Sequence, residues 1–500
     1  MLTREGALTS IPDNRQHLFV GRGDGVVFAG LLVAICLLPL VKGGNREWLV
    51  MWFSVAIFAL LALWSMLFAA GRVCFARAIG PALPVISLWL LWLLYLVLQN
   101  MSWPVAAVES SAPFLYEHYS LLALVNQSLP DNLPFTVSTG ESRLYLVESL
   151  GYFFLFVLVL LTVRGTKRRQ FLAMTLVFSG LFQALYGSFV VLTGIDYLFF
   201  SGQENNPGSA TGTFSVRNHF AGYLEMGLAL GIGLLVGTLN TGQAARTWRE
   251  FFVDSIDTLL GPKMRLRIFL AIMVIALVLS RSRMGNAAFF MSLPLCGVLF
   301  MILQRKIHKG AIILFVSLIL VDVLIVSQWF GLDQVAERIQ STSTETEMRD
   351  EVIRDTLTML PDYQLFGSGA GTYMQTFQRY DDVRAARMVD FAVNDYLEFL
   401  VEFGWVGYVP LAILVLYSLF KAANAMAKRR TQLFRGIGFG AMMGTVSILI
   451  HSFVDFNLQM PANALLFVLL LALALLSMSL ERGGVTRRKR TSHAEAGYSQ

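Results

Sequence analysis

Arg281 and Arg283 lie in the short polar turn between two apolar runs. A guanidinium offers a planar fork of N–H donors that matches two phosphate oxygens. Two such groups at the end of a membrane span therefore indicate a diphosphate-binding site. A structural role is the alternative, in which the arginines pair with Asp390 or Asp395 of the following polar segment.

A second candidate group, Arg217, Asn218 and His219, stands where a segment rich in glycine, asparagine and serine enters an apolar run. Charged residues are costly inside the bilayer, so those near a span usually face a polar cavity or lie at its end. Arg217 could bind phosphate at such a cavity, or its side chain could extend to the membrane interface.

Three polar residues, His451, Asp455 and Asn457, follow the eleventh apolar run and precede Pro461. Their spacing predicts either a polar cluster beside the active site or ordinary capping of helix ends.

The segment 331–397 is the one long polar stretch between strongly apolar runs, with twelve acidic residues, six arginines and no lysine. Its acidic excess would repel a diphosphate, so phosphate contacts must come from local clusters of arginine. Gly367, Gly369 and Gly371 lack the strand–helix context of a nucleotide-binding loop and indicate a tight turn. The segment predicts two or three helices that cap a membrane bundle.

The composition places these residues in a membrane. Of the 500 residues, 56% are hydrophobic and 14% are charged, and apolar runs of about 20 residues recur, which is the length of a membrane-spanning helix. The fold class is therefore an all-α polytopic membrane protein. Twelve spans are predicted, near 24–41, 48–70, 81–99, 146–163, 171–193, 217–239, 267–281, 285–303, 310–330, 398–420, 436–454 and 460–480.

Basic residues predict the orientation, because cytoplasmic loops carry an excess of lysine and arginine. With both termini in the cytoplasm, 27 of the 39 basic residues are inside, against six in short outer segments. Anionic lipid accounts for this excess, so no nucleic acid partner is implied. The range 244–260 predicts an amphipathic helix on the inner surface.

The predicted organisation has three parts. Residues 1–209 form N-terminal spans with an outer loop at 100–145, residues 210–480 form a core that includes the extracytoplasmic loop 331–397, and residues 481–500 form a basic cytoplasmic tail. No cysteine-based metal site or disulfide is predicted.

Several stretches together resemble the O-antigen ligase and Wzy polymerase superfamily of bacterial membrane glycosyltransferases. They are Thr213–Gly222, Leu279–Gly285, Phe366–Thr372, Asn394–Glu398 with Gly404–Gly407, and His451–Pro461. The resemblance spans about 210–465, and the first two hundred residues match in hydropathy.

The resemblance implies an enzyme of the bacterial inner membrane that uses an undecaprenyl-diphosphate-linked oligosaccharide and needs no metal, nucleotide or cofactor. Arg283, Arg281 and Arg217 would bind the diphosphate while an acceptor hydroxyl attacks the anomeric carbon with inversion. A flippase and a chain-length regulator of the same pathway are candidate partners, together with membrane lipid.

One departure from the family pattern concerns the base. The ligase motif begins with histidine before asparagine, but Val393 precedes Asn394 here. Asp395 or His219 could take the proton, or the reaction could need little base catalysis. This favours a Wzy-type polymerase that makes surface or exopolysaccharide. An O-antigen ligase and, in another class, a lipid-oligosaccharide flippase are the alternatives.

Overall fold

The structure is a computed structural model that describes residues 23–126, 128–194, 208–238, 262–304, 343–380 and 390–479. The predicted span 310–330, the amphipathic helix 244–260 and both terminal tails lie outside these residues.

The helices are α1 (Gly25–Leu37), α2 (Glu47–Ala69), α3 (Ile79–Asn100), α4 (Val105–Ser111), α5 (Pro113–Asn126), α6 (Thr139–Thr162), α7 (Gly165–Thr193), α8 (Arg217–Gly237), α9 (Pro262–Leu279), α10 (Arg283–Leu303), α11 (Ser343–Met359), α12 (Tyr373–Phe377), α13 (Asp395–Lys428), α14 (Gln432–His451) and α15 (Pro461–Met478). Two short strands are β1 (Ser102–Pro104) and β2 (Asn132–Pro134).

Nine helices of the described part are long and apolar enough to cross a membrane: α2, α3, α6, α7, α8, α10, α13, α14 and α15. The predicted all-α polytopic fold is confirmed. α1 and the 3-10 turn after it form a shorter apolar segment to Leu40, because Pro39 interrupts regular helix. α6 begins at Thr139, seven residues before the predicted span, since its first two turns rise above the apolar stretch.

The centre of the bundle is the contact between α8 and α14. In the apolar stretch of α8, 94% of the residues are buried. Glycines allow the two backbones to touch: a methyl group on Gly233 would lie 2.4 Å from the carbonyl oxygen of Gly436 and 2.7 Å from the Cα of Gly440. Small residues permit such close packing where lipid supplies no hydrophobic driving force between helices.

The segments outside the bundle pack together as a cap, defined as residues 102–138 and 343–380. β1 and β2 pair antiparallel, with Trp103 opposite Leu133. Apolar side chains of the cap form their own buried cluster, which includes Leu115, Met359 and Phe377. The cap is therefore a small folded unit seated on one end of the bundle, and both predicted outer loops contribute to it.

The opposite end of the bundle carries arginines that bind helix ends. Arg168 forms an ion pair with Asp24 at 2.9 Å, and Arg429 donates to the carbonyl oxygen of Ser477 at 2.9 Å. Cations near the final carbonyls of a helix are stabilising, because those oxygens lack helical partners.

Candidate active site

The glycine-rich turn of the cap docks on a break in α13. The break lies at Gly404, which has φ +57°, and a Cβ there would lie 2.3 Å from the carbonyl oxygen of Leu365. Ser368 N donates to the carbonyl oxygen of Val401 at 2.8 Å, beside the break. A glycine is therefore required at position 404, and the turn supplies donors that the broken helix has lost.

The turn itself contains three glycines with positive φ: Gly367 at +71°, Gly369 at +109° and Gly371 at +69°. Gly369 N donates to the carbonyl oxygen of Glu402 at 3.1 Å. From α3, Gln99 Nε2 donates to the carbonyl oxygen of Phe366 at 2.8 Å. These contacts tie the turn to the bundle, so its glycines serve a tight turn as predicted.

The start of α13 places Asp395 at the base of the cap. Asn394 caps the helix: its Oδ1 accepts hydrogen bonds from the backbone N of Tyr396 at 2.9 Å and of Leu397 at 3.1 Å. Its Nδ2 donates to the carbonyl oxygen of Phe453 at 2.8 Å. The Asn394 carboxamide is thus used to fix where the helix begins, which in turn sets the position of Asp395.

The carboxylate of Asp395 is 1% exposed and is held by the segment after α14. Ser452 Oγ donates to its Oδ2 at 2.6 Å, and Leu458 N donates to the same oxygen at 3.0 Å. The backbone N of Asp395 lies within hydrogen-bond distance of the carbonyl oxygens of Ser452 and Asp455, at 3.1 and 3.3 Å. Asp395 and Asp455 are therefore neighbours.

Two side chains of the first turn of α8 contact Asp455. Asn218 Nδ2 donates to its Oδ2 at 2.5 Å, and His219 Nε2 lies 3.5 Å from its Oδ1. The second distance permits an ion pair but is too long for a well-formed hydrogen bond. Burial would raise the pKa of Asp455, but the His219 contact and the charges of His451 and Arg349 outweigh it and lower the pKa below its ordinary value. These surroundings favour the charged form of Asp455, which lies beside His219.

His451 makes a separate contact deeper in the bundle. Its Nδ1 lies 3.2 Å from Oε1 of Glu225, and both side chains are 0% exposed. Asn457 is also buried, and its Oδ1 accepts from Asn463 Nδ2 at 3.2 Å. The predicted polar cluster of His451, Asp455 and Asn457 is real as a set of buried groups near one end of α14, although each has its own partner.

The three predicted phosphate-binding arginines lie at or just before the N-terminal ends of α8 and α10. Arg217 begins α8 and is half-buried, whereas Arg281 and Arg283 are exposed at the turn between α9 and α10. Arg281 has φ +54°, and its guanidinium lies against Gly208. None of the three guanidinium groups forms a hydrogen bond or ion pair with the residues that the structure describes, Asp390 and Asp395 included. Their alternative role as partners of those acids is therefore not observed.

A cavity of about 840 Å³ opens beneath the cap, with Asp395 in its wall. α2, α3, α6, α12, α13 and α15 line it, and its polar end contains Asp395 and Ser452. Its other end is apolar and includes Leu414 and Leu471. Leu144 and Leu416, also lining residues, are 41% and 64% exposed. The cavity therefore joins a polar chamber to the lipid-facing surface.

Sequence reasoning missed the acidic residues of this chamber. Glu398 and Glu402 come three and seven residues after Asp395. This helical spacing puts all three carboxylates on one face of α13. On α6, Glu148 shares a face with Tyr145 and Tyr152. Carboxylates at helical spacing beside an apolar run were the available signal.

Comparison with known proteins gives one family. Residues 268–412 match the model of a family described as O-antigen ligase. No curated protein matches the chain. The matched range includes Arg281, Arg283, the glycine-rich turn, Asp395 and the break at Gly404, whereas Arg217 and His451 lie outside it. The resemblance drawn from the motifs is thus confirmed: over residues 268–412 this membrane protein carries an O-antigen ligase family domain.

Proposed function

We propose that the protein is an inverting membrane glycosyltransferase of the Wzy polymerase type. It joins undecaprenyl-diphosphate-linked repeat units into a surface or exopolysaccharide at the outer face of the bacterial cytoplasmic membrane, with both termini in the cytoplasm and the cap outside. The observation that carries this proposal is the position of Asp395, which is buried in the wall of a chamber of about 840 Å³ beneath the cap.

In this proposal the arginines bind the lipid-linked oligosaccharide that supplies the transferred sugar. The diphosphate is bound by Arg283, Arg281 and Arg217. Their guanidinium N–H groups donate hydrogen bonds to the phosphate oxygens. An acceptor hydroxyl attacks the anomeric carbon, its C–O bond forms as the bond to the diphosphate breaks, and undecaprenyl diphosphate leaves. The arginines stabilise the charge that develops on the leaving oxygen.

Asp395 takes the proton of the attacking hydroxyl. It lies in the chamber wall with its carboxylate fixed by Ser452 and Leu458, so its orientation is set before substrate binds. His219, oriented by Asp455, is the second candidate for this step. Asn394 acts as a positioning residue, because its carboxamide is occupied in capping α13.

An O-antigen ligase is the alternative, and the family description favours it. The position before Asn394 supports the polymerase instead: Val393 is half-buried against the apolar cluster of the cap and offers no proton acceptor. The flippase alternative draws on the helix break at Gly404, since transporters often bind substrate at broken helices. The cap turn closes this break, which favours a fixed site.

A product-length assay tests the proposal. The purified chain in lipid receives one undecaprenyl-diphosphate oligosaccharide, and the products are separated by mass. A ladder of lipid-linked multiples supports a polymerase. Transfer that begins only after a second acceptor is added supports a ligase, and no glycosidic product under either condition would contradict both.

A further inference from the structure

The chamber is built by two polar helix faces that meet beneath the cap. Tyr145, Glu148 and Tyr152 of α6 line it, together with Glu398 and Glu402 of α13. Three of the five are buried: Tyr152, Glu398 and Glu402 are 8%, 1% and 2% exposed. Such burial of carboxyl groups is costly unless partners or a ligand satisfy them.

Protein groups hold these carboxylates by one oxygen each. Glu402 Oε1 accepts from Tyr373 N at 3.0 Å, Glu398 Oε2 accepts from Ala392 N at 2.8 Å, and Glu148 Oε1 accepts from the Tyr152 hydroxyl at 2.8 Å. The fold therefore fixes where each carboxylate points. These contacts orient the acids without neutralising them by a cation.

Other buried groups of the lining have no protein partner. Within the described part of the chain, five polar atoms of lining residues are buried without a hydrogen bond: Glu402 Oε2, Gln375 Oε1, Gln459 Nε2, Trp89 Nε1 and Trp92 Nε1. Two are acceptors and three are donors. A buried polar group without a hydrogen bond loses its contacts to water and gains none from the protein. A ligand whose groups both donate and accept, such as a sugar, would satisfy this mixed set.

The charge of the lining restricts which sugar can enter. Among the described residues, its one cationic side chain is Arg46, and its carboxyl-bearing residues are Glu47, Glu141, Glu148, Asp390, Asp395, Glu398 and Glu402. A surface of one sign repels ligands of the same sign most strongly where water is excluded. A uronic acid would meet this repulsion, whereas a protonated amine would find several acceptors.

We propose that this chamber is the acceptor-saccharide site and that it selects an amino sugar and excludes acidic sugars. Glu398 and Glu402 would bind the amine, and the unpartnered Trp89 and Gln459 donors would bind hydroxyl oxygens. The proposal rests on the proposed function only in taking a saccharide as the substrate. It adds the chemical class of that saccharide and the residues that choose it.

A binding experiment without donor lipid tests the proposal. The full chain in lipid nanodiscs is titrated with a glucosamine tetramer and with a galacturonic acid tetramer. We expect the glucosamine tetramer to bind at least about tenfold more tightly, a difference of about 1.4 kcal/mol. Equal affinities, or no binding of either oligosaccharide, would overturn the proposal.

Two separate variants, Glu402→Gln and Glu148→Gln, test the acids of the chamber. Two are used because either substitution could affect folding. Each should reduce the preference for the glucosamine tetramer, whereas Glu351→Gln, at an exposed position of α11, should keep it. A preference unchanged in both chamber variants would overturn the assignment. A ladder of products without this preference would reject the amino-sugar inference alone, and the preference without a ladder would reject the polymerase alone.

Discussion

The chamber side, with Glu398 and Glu402, and the turn side, with Arg281 and Arg283, differ in how the fold holds their charged groups. Glu398 and Glu402 are buried and oriented by backbone donors. The side chains of Arg281 and Arg283 are exposed and make no hydrogen bond or ion pair with described residues. The carboxylates of the chamber side are thus held by backbone donors, whereas no described residue holds the guanidinium groups of the turn side. This difference suits a pre-shaped saccharide site beside a site for a mobile lipid diphosphate.

Asp395→Asn should have the largest effect, because it removes the proposed proton acceptor. We expect product formation to fall by about 10²- to 10⁴-fold, the usual contribution of general base catalysis. The rate of ladder formation measures this. Asp350→Asn, an exposed carboxylate of α11, is the matched control. A normal rate in Asp395→Asn would transfer the role to His219, which the same substitution strategy can then test.

Arg283→Ala should lower kcat/KM for the lipid-linked donor by about 10- to 150-fold, since hydrogen bonds to charged groups contribute about 1.5–3 kcal/mol. Arg283→Lys should recover only part of this loss, because lysine keeps the charge but not the fork. Arg354→Ala, an exposed arginine of α11, provides the control. An Arg283→Lys variant as active as the unaltered chain would argue against bidentate phosphate binding.

Gly404→Ala should damage the acidic side selectively, because the cap turn docks on this break. The backbone at φ +57° disfavours alanine, and the new methyl group would collide with the carbonyl oxygen of Leu365. Such strain costs about 1–3 kcal/mol. We expect a lower melting temperature and weaker saccharide binding. Gly80→Ala in α3, where nothing lies within 4 Å of the added carbon, should leave both unchanged.

The smallest effect concerns Asp455 and pH. Its pKa is lower in the folded chain than its ordinary value. The unfolded chain therefore binds the proton more readily, so the stabilisation is present above about pH 4 and is lost as the pH falls further. Melting temperatures measured from about pH 6 to pH 3 should drop less steeply in Asp455→Asn. Parallel curves for the two proteins would show that Asp455 is not the group responsible.

The two sides also differ in how far the sequence predicts them. The sequence alone singled out Arg281 and Arg283 as candidate site residues, because charges at the end of apolar runs require an explanation. Hydropathy predicted spans at all nine membrane-length helices of the described residues, although some ends differ by up to eight residues, as at Lys428 of α13. Asp395 was predicted as a candidate base only through the family motif that surrounds it.

The acidic chamber could not be predicted in the same way. Glu398 and Glu402 have the spacing of any polar helix face, and their burial depends on α6 and on the cap turn, which are distant in sequence. The helix break at Gly404 also depends on a tertiary contact, since a single glycine in an apolar run usually continues the helix. Long-range contacts of this kind leave little trace in local patterns.

Binding of sugar-free undecaprenyl diphosphate tests the division between the two sides most directly. Native mass spectrometry of the chain in nanodiscs would compare the unaltered protein with Arg281→Ala/Arg283→Ala and with Glu402→Gln. We predict that the arginine variant loses binding by about tenfold or more, while Glu402→Gln keeps it. Equal loss in both variants, or unchanged binding in the arginine variant, would contradict a diphosphate site at the turn that is separate from the saccharide chamber.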